Sequence, residues 1–186
     1  MQRREFNQHL QRSAIALALA PWWMPVASAA DKPRAWRANP FALGVASGRP
    51  RAESVVLWTR VLFSEEDRAA GTEALRVQVE VFADAALKRR VQKADVVTDE
   101  ARGHSVHLHV QNLQPSTDYW YRFKQGDALS AVGHTRTAPA LKADVQKLRI
   151  ALTSCQHYEQ GQFIAHADIA KQSLDFVLFM GDYIYE

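Results

Sequence analysis

Cysteine is nearly absent from this 186-residue chain: Cys155 is the only one, so no intramolecular disulfide can form. Long apolar runs are missing too. The weakly apolar stretch 14–30 is broken by Pro21 and Pro25 and is shorter than the roughly 20 apolar residues a membrane helix needs, which excludes a stable span. Charge of one sign is equally scarce. The formal net charge is +3, and Arg3, Arg4 and Arg12 against Glu5 supply +2 of it within residues 1–29. About +1 is left for the rest, which gives no nucleic-acid-binding signal. Neither an internal repeat nor a low-complexity tract is present. What the chain does have is a 47% apolar fraction and five Trp, enough for one ordinary domain or a small domain with a piece of another.

Residues 1–29 read as a twin-arginine signal peptide. Arg3-Arg4-Glu5-Phe6 supplies the arginine pair, residues 14–20 a moderately apolar run, and Ala27-Ser28-Ala29 a small-residue cleavage site. No cysteine follows the run, which argues against a lipoprotein anchor. The expected partner is the twin-arginine export machinery, and the expected destination is periplasmic or secreted. That route carries folded proteins, so a metal can be loaded before export. A lone thiol in an oxidising compartment is a liability unless something holds it, and metal ligation would hold it.

Across 39–139 the pattern is short alternating strands. Leu75, Val77, Val79 and Val81 fall on one face and Arg76, Gln78 and Glu80 on the other; Val106, Leu108 and Val110 alternate with Ser105, His107 and His109. Six or seven such strands predict a mainly β sandwich. Leu113-Gln114-Pro115-Ser116-Thr117-Asp118-Tyr119, with Tyr121 and Phe123 following at alternate positions, looks like the tyrosine corner of immunoglobulin/fibronectin III-like sandwiches, in which the Tyr hydroxyl bonds back to the entering loop. Trp58 and Trp120 read as packing residues. His104, His107 and His109 have no acidic or thiolate companion in the segment and read as polar residues of a wet face. Residues 138–145, with Pro139, form the linker.

The last forty residues carry the chemistry. Two apolar runs, Leu148-Arg149-Ile150-Ala151-Leu152-Thr153-Ser154 and Leu174-Asp175-Phe176-Val177-Leu178-Phe179-Met180, read as strands covered on both faces. Phe163, Ile164, Ala167, Ile169 and Ala170 give a helical spacing between them, hence a βαβ unit with parallel strands. Ligands bind outside the carboxyl ends of such strands. There the runs deliver Cys155-Gln156-His157-Tyr158 and Gly181-Asp182-Tyr183-Ile184-Tyr185-Glu186, so Cys155 and Asp182 can converge. A thiolate, a carboxylate and the Tyr185 phenolate would repel one another without a cation, and a metal resolves this. Two ordinary alternatives stand beside that reading: Gly-Asp is common as a plain turn, and a lone Cys is often simply buried. His157 lies nearer this chemistry than His104, His107 or His109.

Ser154-Cys155-Gln156, Gly161 and Gly181-Asp182-Tyr183-Ile184-Tyr185-Glu186 together resemble the opening of the catalytic domain of the PhoD-like alkaline phosphatases and phosphodiesterases. Asn39-Pro40-Phe41, Gly44-Val45-Ala46-Ser47-Gly48 and Val55-Val56-Leu57-Trp58-Thr59-Arg60 resemble that family's N-terminal domain. The resemblance implies that 147–186 begins an α/β, calcineurin-like metallophosphatase domain. It also implies a ferric ion held by Cys155, Asp182 and Tyr185, with Asp182 bridging to calcium. The implied reaction is hydrolysis of a phosphomonoester or phosphodiester by a metal-bound hydroxide. The family's remaining ligands lie in motifs beyond residue 186. The expectation is therefore an N-terminal fragment, inactive alone and with no catalytic residue besides the metal ligands. The alternative is a secreted β-sandwich binding module with a non-catalytic metallophosphatase remnant.

Overall fold

The computed structural model describes residues 34–185, so the export signal read over 1–29 lies outside the described residues. Among the described residues no helix is long and apolar enough to cross a membrane. Alternating residues build eight strands ahead of the linker: β1 Val45–Arg51, β2 Ser54–Arg60, β3 Leu75–Phe82, β4 Arg90–Thr98, β5 Ser105–Val110, β6 Asp118–Gln125, β7 Ala128–Leu129 and β8 Gly133–Arg136. β1, β2 and β5 form one antiparallel sheet. β4, β3 and β6 form the other, with β7 and β8 both pairing with β6. The inward positions of the two sheets, among them Val55, Leu57, Val77, Val79, Val106, Tyr121 and Phe123, close into one buried core, as a two-sheet sandwich requires.

The tyrosine corner is present. Tyr119 is buried, and its hydroxyl accepts the Gln114 backbone N–H at 2.9 Å. Tyr119→Phe removes that bond alone, so it is expected to lower the unfolding free energy by about 1 kcal/mol. The check is a shifted urea midpoint at an unchanged slope.

Side-chain placement departs from expectation at four places. Trp58 and Trp120, expected as packing residues, take outer-face positions and are half-buried; the inward places next to them belong to Leu57 and Thr59, and to Tyr119 and Tyr121. Glu80, expected on the wet face, is 5% exposed beneath Arg90 and Arg122, whose guanidinium groups reach it at 2.7 and 2.8 Å. Burial pushes its carboxyl up, but the two arginines more than offset this and hold it below the ordinary value. Residues 34–41, mostly ahead of the expected boundary at 39, also belong to the sandwich. Arg34 lies over the rings of Trp36 and Phe63 at 4.6 and 4.9 Å, and Trp36 donates through its indole N–H to Gln125.

The fourth departure is His104. His107 and His109 are exposed on the outer face as expected, whereas His104 precedes β5 with φ of 54° and turns inward against Phe63. It is 7% exposed, and its Nδ1 has no hydrogen-bond partner. Burial lowers its pKa from the ordinary value; Glu100 and Asp99 oppose the shift, while Arg60 and Arg34 add to it. The unfolded chain therefore binds a proton that the folded chain resists. Stability is expected to be full above about pH 6.5 and to fall as pH drops from there toward the lowered folded value. His104→Leu should flatten that part of a stability-against-pH curve, read by urea unfolding from pH 8 to 5. An unchanged slope would show that His104 does not titrate as its burial dictates.

Beyond the sandwich, Ala138 still donates its N–H to the Arg51 carbonyl, after which the linker runs without regular structure to β9, Ile150–Thr153. The short helix that follows, Ile164–Ile169, and β10, Phe176–Phe179, complete the described chain; β9 and β10 pair in parallel, Ile150 opposite Phe176. Asp175 sets this register. Its carboxylate accepts the Arg149 N–H at 2.7 Å and pairs with Arg136 of β8 at 3.4 Å. The two apolar runs suit strands with cover on both faces, but here they stay partly wet: Ile150 is 41% exposed, Leu152 61% and Leu178 49%. Two strands and one six-residue helix offer too little surface to bury two faces.

Candidate metal centre

Two turns of unusual backbone bring the expected ligands together. After β9 the chain enters the left-handed region at Cys155, with φ of 58°. After β10 it does so twice in succession, at Gly181 with φ of 125° and at Asp182 with φ of 44°. Glycine takes such angles freely and aspartate tolerates them, but a cysteine held there costs on the order of 1 kcal/mol or more. The result is a thiol facing a carboxylate: Cys155 Sγ lies 3.7 Å from Asp182 Oδ2, and both residues are exposed.

Backbone hydrogen bonds stitch the two turns to each other. Gln156 donates its N–H to the Asp182 carbonyl at 3.2 Å and accepts the Tyr185 N–H at 2.9 Å, and Tyr158 donates to the Tyr185 carbonyl at 2.8 Å. His157 and Tyr185 form a one-residue parallel bridge. Tyr185 is thus fastened to the segment that carries Cys155. Tyr183 is occupied elsewhere, its ring 4.5 Å from that of Phe179.

The chemistry of this donor set fits a transition metal in part. A thiol and a carboxylate in contact, with the Tyr185 phenol three residues after Asp182, are groups that become anionic donors and prefer a cation between them. Among the described residues, however, no group of three His, Cys, Asp or Glu side chains stands ready to hold an ion. His104, His107 and His109 belong to the sandwich, and none of them lines the turns that carry Cys155 and Asp182. A cleft of about 590 Å³ lies between the linker and the sandwich, bordered by Arg136, Pro139, Lys147 and Asp175, and it contains none of the candidate ligands. The left-handed backbone at Cys155 is the feature that sequence reasoning missed, because cysteine carries no local signal for a positive φ.

The family model for the N-terminal domain of PhoD-like phosphatases matches residues 26–139, and that for the PhoD-like phosphatase itself matches 150–186. This chain belongs to the PhoD-like phosphatase family. Alkaline phosphatase D of Bacillus subtilis (strain 168) is 44% identical over 149 residues, which is 79% of this chain and 25% of that protein. A solved structure described as the structure of PhoD is similar at 42% identity and a TM-score of 0.77, over 82% of this chain and 30% of that one. The chain therefore spans about a quarter of the length of its curated PhoD-like relative. Both family matches meet at the linker, between the sandwich and the strand pair that carries Cys155 and Asp182.

Proposed function

We propose that these residues form the N-terminal sandwich and the first corner of the metal centre of an exported phosphatase or phosphodiesterase, active as the whole PhoD-like protein. The observation that carries the reading is the contact of Cys155 Sγ with Asp182 Oδ2 at 3.7 Å, made by two residues that both adopt left-handed backbone to reach it. Strained backbone at matching strand ends persists where function over-determines it.

Cys155, Asp182 and Tyr185 would hold the iron, and Asp182, having two carboxylate oxygens, would share it with a neighbouring calcium. The bound metals would supply electrophilic activation of the phosphoryl group and of the attacking water. The chain's own contribution is orientation. Gly181 lets β10 turn sharply enough for Asp182 to face Cys155, and the Gln156 hydrogen bonds keep Tyr185 on the same side. The arginine pair Arg3-Arg4 and the Ala27-Ser28-Ala29 site support export by the twin-arginine route to the periplasm or beyond, with a phosphate ester as substrate.

The test uses the complete phosphatase. Purified enzyme is expected to be coloured by thiolate- or phenolate-to-iron charge transfer, and chelation should remove colour and turnover together. Cys155→Ala should weaken or shift the band. A colourless active enzyme, or a band and activity that survive Cys155→Ala, would overturn the metal reading. Fractionation after replacing Arg3 and Arg4 by Lys tests the export reading separately, and undiminished export would sink it.

A further inference from the structure

The two tyrosines of the Gly181-Asp182-Tyr183-Ile184-Tyr185 segment are anchored differently. Tyr183 lies against Phe179 of β10, which turns it away from donor duty. Tyr185 is 44% exposed, so burial does not fix its ring, although its backbone is held by Gln156 and Tyr158. What does meet the ring is His157, with centroids 5.2 Å apart and planes at 76°, an edge-to-face arrangement that aromatic pairs prefer. The imidazole is itself fixed. Its Nδ1 accepts the Glu159 backbone N–H at 3.2 Å, which sets the ring's rotation and leaves a ring proton for Nε2.

We propose that His157 is a positioning residue for Tyr185: an imidazole pinned by the Glu159 N–H holds the phenol ring in one orientation on the segment that carries Cys155. The proposal rests on the metal reading above. An exposed tyrosine otherwise samples several side-chain rotamers, and a donor that must first be ordered binds its ion less well. His157 removes that freedom before the ion arrives. Its neighbours on the turn, Gln156 and Tyr158, hold the Tyr185 backbone, and the ring contact is made by His157.

Three substitutions separate the ring from its acceptor. His157→Phe keeps an aromatic edge against Tyr185, His157→Asn keeps an acceptor for Glu159 without the ring, and His157→Ala keeps neither. Each would be made in the iron-loaded complete phosphatase, with the visible band recorded and iron loss to a competing chelator timed. Tyr185→Phe and Tyr183→Ala serve as references. His157→Phe should keep the wild-type band. His157→Asn and His157→Ala should shift it and release iron about tenfold more readily, the lower end of what supporting residues around a metal contribute. Asn and Ala variants with wild-type band and iron retention, beside a Tyr185→Phe variant that loses the band, would overturn the proposal while leaving the metal centre standing. So would a His157→Phe variant that behaves like His157→Ala, or a band moved by Tyr183→Ala instead. A wild-type enzyme without any band would overturn both readings together. Far-ultraviolet spectra and urea midpoints matching wild type guard against a folding defect; a His157→Ala variant that binds no iron because it is unfolded leaves His157→Asn to decide.

Discussion

Asp182→Asn in the complete phosphatase is expected to lower kcat/KM for phosphoester hydrolysis by at least on the order of a hundredfold, beyond the roughly 10- to 100-fold span that losing a supporting residue around a metal produces. The reasons are local. Asparagine has nearly the same shape and, like aspartate, tolerates the φ of 44° found there, so the turn after Gly181 and its Gln156 hydrogen bond should persist. What is lost is one anionic oxygen, either the one facing Cys155 Sγ or the one left for a second cation. Hydrolysis of a chromogenic phosphomonoester and a diester, each with iron and calcium supplied, is the measurement. An Asn variant that keeps more than about a tenth of the wild-type rate would mean that Asp182 shapes a turn and does not hold a metal. The substitution should leave unfolding by urea unchanged, since the side chain is exposed.

Much of this architecture is written in local sequence. The tyrosine corner was legible because its bonds are local, Thr117 donating to the Pro115 carbonyl and Tyr119 accepting the Gln114 N–H, and because Tyr121 and Phe123 continue an unbroken alternation. The meeting of Cys155 and Asp182 was legible from topology alone, since parallel strands of similar length end at one edge. The misses share a different cause. Glu80 reads as a wet-face residue, and its burial depends on Arg90 and on Arg122, the latter 42 residues away. His104 obeys the alternation of its segment only if the backbone is extended, and its left-handed φ breaks that premise. Arg34 and Trp36 have no periodic partner to announce them, so the strap they form against Phe63 and Gln125 lies outside any pattern a local reading can find. Strand coverage is a separate matter. An all-apolar run states what a strand prefers to touch, not what is present to touch it, and Leu152 and Leu178 are half-exposed or more.

Phe123→Ala is expected to cost about 3–5 kcal/mol of stability in the full chain. Phe123 is fully buried at the centre of β6, opposite Val79 of β3. Its ring lies 6.0 Å from that of Tyr121 and 6.5 Å from that of Phe41, and truncation would remove its contact with the segment leading into β1. The surrounding core is apolar: Val55, Leu57, Val77 and Val79 belong to the same buried cluster. Water would find too few partners to fill the resulting hole, and paired strands can collapse into it only by breaking register. Against a total of about 5–15 kcal/mol for an ordinary domain, such a loss brings the sandwich close to unfolding at working temperature. Phe123→Leu keeps most of the volume and should cost about 1–1.5 kcal/mol. Urea midpoints for the two variants give the comparison, with the drop for Ala being on the order of 1 M or more. An Ala variant no less stable than the Leu variant would show that the core around Phe123 is not sealed. The consequence reaches the strand pair, because β8 pairs with β6 and carries Arg136, whose guanidinium meets Asp175 at the head of β10. Loosening β6 therefore loosens the sandwich end of the contact that joins it to the strands bearing Cys155 and Asp182, and protease cleavage within 139–149 should rise in step with the lost stability.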